Sequence, residues 1–202
     1  MVHITLLTET PKQITAEITD TNCTFVNALR RVMIANVKTW AIENVQFEQN
    51  NTIIPDEVIA HTLGLLPLVT TRKFDGTGSF EFDKQAADSS EIEEWVADEM
   101  MGTVGIKLAI RGIPIAKATR GQALKFIATI AEGSGEIHSK WSPVTKCFFN
   151  SPDPADPTRF NFYITSKGQL SAREILDRGL EELTTILSGE SAEGAGLLPF
   201  NY

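Results

Sequence analysis

Two amphipathic segments, one near each end of the chain, constrain the fold more than any other feature. In TNCTFVNALRRVMI (21–34), apolar residues recur at spacings of three and four, which places them on one side of a helix: Phe25, Ala28, Leu29, Val32 and Met33. In SAREILDRGLEELTTIL (171–187), Ser171 and Glu174 have capping-box spacing, and Gly189 follows as a natural C-terminal stop. Each helix has an apolar side to bury, so the sequence predicts one layer assembled from both chain ends.

Strand patterns accompany these helices. Residues 2–8 and 12–19 are rich in Val, Ile and Thr around Pro11, which predicts a hairpin. RFNFYIT (159–165) alternates with Phe160, Phe162 and Ile164 on one face. The helix that follows the hairpin has three candidate N-caps, Thr21, Asn22 and Thr24, because each carries a short oxygen-bearing side chain.

The middle of the chain gives weaker signals. Residues 38–49, 104–110 and 122–131 predict strands, and 136–150 predicts extended chain. Pro55 opens a short, strongly apolar helix that ends at Gly64 and Pro67. The acidic stretch 92–102 is interpreted as a short helix, although its Trp and Met residues also suit an interface. The glycines and proline in 111–121 predict a loop.

Together these patterns predict an α+β protein with a discontinuous arrangement. A two-layer domain, a sheet plus the two amphipathic helices, takes residues 1–38 and 159–202, and a mostly β insert domain takes 39–158. Any apolar helix face left uncovered requires a partner with the same need. We therefore expect the isolated chain to expose the apolar faces of helices 24–36 and 171–188.

Composition excludes several classes of function. The net charge of −8 and the lack of a dense Lys/Arg cluster argue against direct nucleic-acid binding. Cys23 and Cys147 lack metal-ligand spacing, fit a reducing compartment and are expected to be buried. No basic, apolar leader opens the chain, and no apolar run is long enough to span a bilayer.

No constellation of residues indicates catalysis. The three histidines, His3, His61 and His138, are scattered and lie at no ligand spacing. The glycine-rich stretches do not follow a strand and open a helix, as phosphate-binding loops do. The sequence gives the enzyme hypothesis no support, and no cofactor or metal is expected.

Long motifs resemble one family. FVNALRRVMIANVKTWAIENVQFEQNNT (25–52) and PDEVIAHTLGLLPLV (55–69) are similar to the signature of the α-like subunits of multisubunit RNA polymerases. IAKATRGQALKFIATIAEGSGEIHSKWSPV (115–144) resembles the insert region of the third-largest subunit of eukaryotic RNA polymerase II. SAREILDRGLEEL (171–183) resembles the family's C-terminal dimerisation helix.

This resemblance implies a non-catalytic assembly subunit. It implies a heterodimer with a smaller, L-like (eleventh-subunit-like) partner, which forms the platform for the second-largest and then the largest subunit. The implied large-subunit contact comprises Asn27, Arg30, Arg31, His61, Leu63 and Gly64. The implied heterodimer interface comprises Phe25, Leu29, Val32, Met33, Ile175, Leu176, Leu180, Leu183, Ile186 and Leu187. No membrane partner is implied.

The chain departs from the family pattern in three places. Thr62 stands where relatives commonly have Arg, the insert lacks the cysteine cluster that many relatives carry, and residues 70–100 are short. Such compactness suggests a reduced version, as in a large DNA virus. We expect the protein to be intracellular: in the nucleus if its source is a eukaryotic cell, and in the host cytoplasm or the virion if its source is a virus. The alternative function is a stand-alone protein-interaction module that reuses the same dimerisation fold.

Overall fold

The computed structural model describes residues 2–71, 74, 76–88 and 91–189. The strands within them are β1 (His3–Glu9), β2 (Gln13–Thr19), β3 (Thr39–Asn50), β4 (Leu68–Thr70), β5 (Ser79–Gln85), β6 (Glu93–Val96), β7 (Met101–Gly102), β8 (Ile106–Leu108), β9 (Pro114–Ala118), β10 (Ala123–Gly133), β11 (Val144–Asn150) and β12 (Phe160–Ser166). The α-helices are α1 (Cys23–Ala35), α2 (Asp56–Gly64) and α3 (Ala172–Ser188), and 3₁₀ turns occur at Ala97–Glu99 and Ser139–Trp141. The sequence after Gly189 lies outside the described residues, as does its apolar group at 197–200.

Both chain ends build one four-stranded antiparallel sheet in the order β1-β2-β12-β11. Successive side chains of a strand point to opposite faces. Ile14, Ala16 and Ile18 of β2 are therefore buried on the same side as Phe162 and Ile164 of β12. The helices α1 and α3 cover this face and complete a core, called here the chain-end core. The predicted α+β class is confirmed, and the sheet joins the hairpin to the strand predicted at 159–165.

The predicted caps define the ends of both long helices. Of the three candidates at α1, Asn22 accepts the N–H of Phe25 at 2.9 Å. At α3, the N–H of Glu174 donates to Ser171 Oγ at 3.2 Å, and the N–H of Ser171 donates to Glu174 Oε2 at 2.8 Å. Gly189 has φ 76°, a left-handed conformation that glycine adopts without steric cost.

The two long helices touch at a glycine. A Cβ added at Gly179 would lie 2.6 Å from Met33 Cγ, so only a bare backbone allows this approach. Met33 is fully buried as a result. The chain-end core thus includes much of the apolar face that the sequence assigned to a partner.

The middle of the chain surrounds a second core, called here the middle core. Its main sheet is antiparallel in the order β3-β10-β5-β7, with the strand pairs β4–β8 and β6–β9 and the helix α2 packed around it. Trp95, Phe126 and Leu124 are among its fully buried side chains. This part is mostly β, as predicted for the insert.

Two local predictions in this region are wrong, and they share one cause. Residues 93–96 of the predicted helix form β6, and residues 114–118 of the predicted loop form β9. The two strands pair with each other, with Trp95 opposite Ala116. Trp95 is fully buried, whereas its neighbours Glu94 and Val96 are not, as expected for a strand whose side chains alternate between two faces. Each strand exists because the other is its partner.

The strand β11 connects the two parts of the chain. It lies within the range 39–158 predicted for the insert domain. Because it pairs with β12, however, it is a strand of the chain-end sheet, and the C-terminal half of that sheet starts at Val144. In the described part of the chain, no helix is long and apolar enough to cross a membrane.

Candidate subunit interface

The first group of predicted contact residues lies on α1. Nε and Nη2 of Arg30 both donate to Asn27 Oδ1, at 3.1 Å and 2.9 Å. These two bonds fix the plane of the guanidinium one helical turn from Asn27. Arg31, the next residue, is exposed to solvent. The helix therefore presents one preset guanidinium beside an exposed one.

Cys147 of β11 lies against this group. Its Sγ is 4.0 Å from the carbonyl oxygen of Arg30. Burial raises the pKa of the Cys147 thiol to about 12, although the charge of Arg30 acts in the opposite direction. A thiol that stays protonated at neutral pH is a poor nucleophile. The other thiol, Cys23, is exposed, which corrects the expectation that both are buried.

The second group lies on α2. Leu63 is fully buried in the middle core, so its side chain offers no surface to a partner in this conformation. His61 is exposed, and together with Gly64 it borders a hollow of about 160 Å³. Thr62, where the family resemblance led us to expect Arg, donates through Oγ1 to the carbonyl oxygen of Val58 at 2.9 Å. Because α2 packs on β3 and β9, its residues belong to a different core from α1.

The 3₁₀ turn at Ser139–Trp141 forms the opposite wall of this hollow. Lys140 Nζ donates to the carbonyl oxygen of Ile42 at 3.0 Å, pairs with the Glu43 carboxylate and lies 4.3 Å from the centre of the Trp141 ring. His138 Nδ1 accepts the N–H of Lys140 at 3.1 Å. These contacts hold a nearly buried ammonium in place, and its charge is answered by Glu43.

Trp141 anchors the same turn in the protein. Its Nε1 donates to the carbonyl oxygen of Ala131 at 3.1 Å, and its carbonyl oxygen accepts from Thr39 Oγ1 at 2.5 Å. A Cβ at Gly133 would lie 2.5 Å from the indole ring. The HSKWSPV motif noted in the sequence is therefore the wall of the hollow, a role that periodicity and charge patterns could not indicate.

The predicted heterodimer residues divide by burial. Six are buried within the chain itself, on the chain-end core: Leu29, Val32, Met33, Ile175, Leu176 and Leu183. Phe25, Leu180 and Ile186 are partly buried, and Leu187 is 71% exposed. The expectation that the isolated chain exposes the whole apolar face of both helices is therefore wrong, because its own sheet covers most of that face.

Among the described residues, no group of three or more His, Cys, Asp and Glu side chains is placed to hold a metal ion. The polar contacts of the two groups are hydrogen bonds and ion pairs internal to the chain. What the surfaces offer a partner is shape, apolar area and two arginines.

Comparison with known proteins gives one family. Residues 15–187 match the RNA polymerase Rpb3/Rpb11 dimerisation domain. Subunit 3 of DNA-directed RNA polymerases II, IV and V of Arabidopsis thaliana is 35% identical over an alignment of 169 positions, and the match covers 68% of this chain and 53% of the plant protein. Subunit Rpo3 of the DNA-directed RNA polymerase of Methanocaldococcus jannaschii is 29% identical over 160 residues, 79% of this chain and 78% of the archaeal protein.

A third relative is similar in extent to the plant protein. Subunit rpb3 of DNA-directed RNA polymerase II of Dictyostelium discoideum is 31% identical over 154 residues, 62% of this chain and 50% of that protein. The chain thus spans about half the length of these two eukaryotic relatives. All three relatives are cellular, and the viral origin stays a prediction.

Proposed function

Because this chain belongs to the RNA polymerase Rpb3/Rpb11 dimerisation-domain family, we propose that it is a non-catalytic assembly subunit of a DNA-directed RNA polymerase. It forms a heterodimer with a smaller, eleventh-subunit-like partner. That heterodimer is the platform on which the second-largest and then the largest subunit assemble. The observation that carries this proposal is that the family match, over residues 15–187, takes in both amphipathic helices of the chain-end layer.

The heterodimer contact proposed here is narrower than the apolar faces of the two helices. Phe25, Leu180, Ile186 and Leu187 retain exposed apolar surface at the edge of the chain-end core. A partner that covers them removes this area from water, at about 25 cal/mol per Å². The six buried residues of the predicted set support the contact from beneath, because they fix the positions of α1 and α3.

The large-subunit contact is proposed to use the arginines of α1 and the α2 border of the hollow. Asn27 orients Arg30, so Arg30 loses less side-chain freedom when it meets a partner's carboxylate or carbonyl groups. Arg31, His61 and Gly64 complete the proposed surface, and Leu63 contributes by anchoring α2 to the middle core.

The chain is proposed to contribute no chemistry of its own. It takes no cofactor and no metal, and with a net charge of −8 it leaves contact with nucleic acid to the other subunits. The insert, predicted at 39–158, and the dimerisation domain, predicted at 1–38 with 159–202, are proposed to be separate domains, with the strand β11 assigned to the dimerisation domain because it pairs with β12. The proposed location is the nucleus if the source is a eukaryotic cell, and the host cytoplasm or the virion if it is a virus.

One purification tests this function. A tagged copy of the chain is recovered from its native source, and the co-purifying proteins are identified by mass spectrometry. We expect one smaller protein of the same family and two much larger polypeptides in constant proportion. Recovery of the small partner without either large polypeptide favours the stand-alone interaction module. Recovery of neither overturns the assembly role.

A further inference from the structure

Among the glycines of the described residues, Gly64 is the one that the chain's own fold does not require. At every other described glycine, either φ is positive or an added Cβ would come within 2.6 Å of another atom. At Gly64 the nearest atoms to an added Cβ are Ile42 O at 3.8 Å and Lys140 Cδ at 4.0 Å, which are ordinary contact distances. Glycine within a helix is less stable than alanine, so this chain keeps a stability cost with no internal reason.

The bare position opens into the hollow beside α2. Ile42, Val45 and Ala60 supply apolar lining around it. The ammonium of Lys140 is already paired with Glu43 and the carbonyl oxygen of Ile42, so no unanswered charge is left to hold an ion. The lining also has a polar part: Glu43, His61, His138 and Lys140. Its apolar part suits an aliphatic side chain.

The surroundings of the hollow also fit a protein partner. Leu65, the residue after α2, borders the hollow and is 39% exposed, and Val58 of α2 is a second large apolar side chain with 52% exposure. An exposed apolar side chain beside a concavity is typical of a contact with another protein.

The hollow is also structurally joined to the arginine-bearing helix. The segment that leads to its wall is pressed onto the C-terminal end of α1, where the N–H of Glu136 donates to Ala35 O at 2.9 Å. A Cβ at Gly135 would lie 2.1 Å from the carbonyl oxygen of Ile34. The segment that leads to the wall of the hollow is therefore held against the helix that carries Arg30 and Arg31.

We propose that a large polymerase subunit inserts an aliphatic side chain into this hollow, and that Gly64 is bare so that this side chain reaches its floor. The inference rests on the assembly role proposed above and goes further, because it names the chemistry of the contact. It makes an unusual prediction: a methyl group at residue 64 stabilises this chain and weakens its binding to the partner.

The test uses the heterodimer of this chain with its small partner, titrated with the second-largest subunit from the same source. Gly64→Ala should raise the melting temperature by about 1–4 °C, because alanine is the better helix former. The same variant should weaken binding roughly tenfold, since a methyl overfills a fitted contact. Gly64→Leu, which fills more of the hollow, should weaken binding further.

Glu57→Gly is the matched control, because Glu57 is an exposed residue of α2 that does not line the hollow. It should lower the melting temperature, since glycine is a poor helix former, but leave the affinity of the folded heterodimer within about twofold. If wild-type heterodimer fails to bind the second-largest subunit, the assembly role itself fails. If wild type binds and Gly64→Ala binds equally well, the role stands and the hollow inference is overturned. A lowered melting temperature for Gly64→Ala also overturns it, because glycine then serves the chain's own packing.

Discussion

The chain-end core and the middle core are built by different means. All four strands of the chain-end sheet are 7 residues long, and its helices have 13 and 17 residues. In the middle, two long strands, β3 with 12 and β10 with 11 residues, are joined by very short ones, since β6, β7 and β8 have 4, 2 and 3 residues. Long elements carry enough periodic side chains to define their own buried face, whereas such short strands depend on a distant partner. The difference suggests two units of unequal autonomy.

The outer surfaces of the two parts differ in a related way. The chain-end part closes most of its apolar area on itself and leaves a narrow strip at Phe25, Leu180, Ile186 and Leu187 beside the arginines. The surface of the middle part contains the hollow beside α2, which is lined in part by Gly64. The first suits a permanent partner that extends a core, and the second suits insertion of a side chain.

The largest expected effects come from truncating one core at a time. Phe162→Ala removes a fully buried ring from the chain-end core, and Phe126→Ala removes one from the middle core, so each should cost about 3–5 kcal/mol of unfolding free energy. The three tryptophans, Trp40, Trp95 and Trp141, all lie in the middle part and report on it by fluorescence. The helix signal in far-UV circular dichroism comes mainly from α1 and α3, because α2 has only 9 residues.

In urea titrations, Phe162→Ala should lower the midpoint of the helix signal more than that of fluorescence, and Phe126→Ala should do the reverse. Coincident shifts of both signals in both variants would mean that the two cores unfold as one unit. That result would contradict both the independence of the two cores and the proposed division into two domains.

The next largest effect concerns the arginines of the chain-end part. Arg30→Ala or Arg31→Ala should leave the heterodimer intact and weaken recruitment of the second-largest subunit by about 2–5 kcal/mol. Asn27→Ala should weaken it less, because Arg30 keeps its charge and loses only its preset orientation. Affinity is measured by titrating the purified heterodimer.

Arg178→Ala is the matched control for these variants, since Arg178 is an exposed arginine on α3. Unchanged affinity is expected there. If the three α1 variants, Arg30→Ala, Arg31→Ala and Asn27→Ala, bind the second-largest subunit as tightly as the control does, the arginines of α1 have no role in recruitment. The hollow of the middle part then remains as the proposed contact.

The secondary structure of the chain-end part could be predicted from the sequence more completely than that of the middle part. The helices, the Ser171–Glu174 capping box and the strand at 159–165 were all readable because their signals lie within one contiguous segment. The pair β6–β9 was missed because Trp95 is a strand residue only when Ala116 lies opposite it. Local propensity carries no information about that distant pairing.

The candidate interface was predictable in kind but not in extent. An apolar stripe such as that of Leu29 and Met33 looks the same whether it packs on its own sheet or on another chain, and the structure assigns both residues to the chain's own core. The hollow was not foreseeable, because Lys140 meets Ile42 and Glu43 across about one hundred residues of chain. The significance of Gly64 becomes visible only in the structure, where no neighbouring atom of the chain excludes a side chain at this position.

A smaller effect is expected from the exposed apolar strip. Leu187→Asp should change the unfolding free energy of the isolated chain by no more than about 0.5 kcal/mol, because the side chain is 71% exposed. In the heterodimer it should cost about 2 kcal/mol of binding, as a buried leucine is replaced by a charge. Val104→Asp, at a 79% exposed residue of the middle part, is the control and should leave the heterodimer unaffected. Equal affinity for wild type and Leu187→Asp would remove the strip from the interface.

The smallest expected effect is the pH dependence of stability, to which one carboxyl group in each of the two parts contributes. In the chain-end part, hydrogen bonds from the backbone and then the hydroxyl of Ser171 lower the pKa of Glu174 below its ordinary value of 4.5. In the middle part, the N–H of Ala87 and then the indole of Trp95 lower the pKa of Glu93. A carboxyl whose pKa is lowered by folding stabilises the folded state above its unfolded pKa, and this contribution is lost as the pH falls through the folded pKa.

Stability should therefore be constant above about pH 5 for both groups and decline below about pH 4.5. Glu174→Gln keeps an acceptor oxygen but cannot be protonated, so it should flatten the acid dependence of the helix signal while costing about 0.5–1 kcal/mol at neutral pH. The acid dependence of tryptophan fluorescence should persist in this variant, because Glu93 still bonds Trp95. If Glu174→Gln flattens both signals together, one protonation event controls both cores, and they are coupled more tightly than their separate architecture implies.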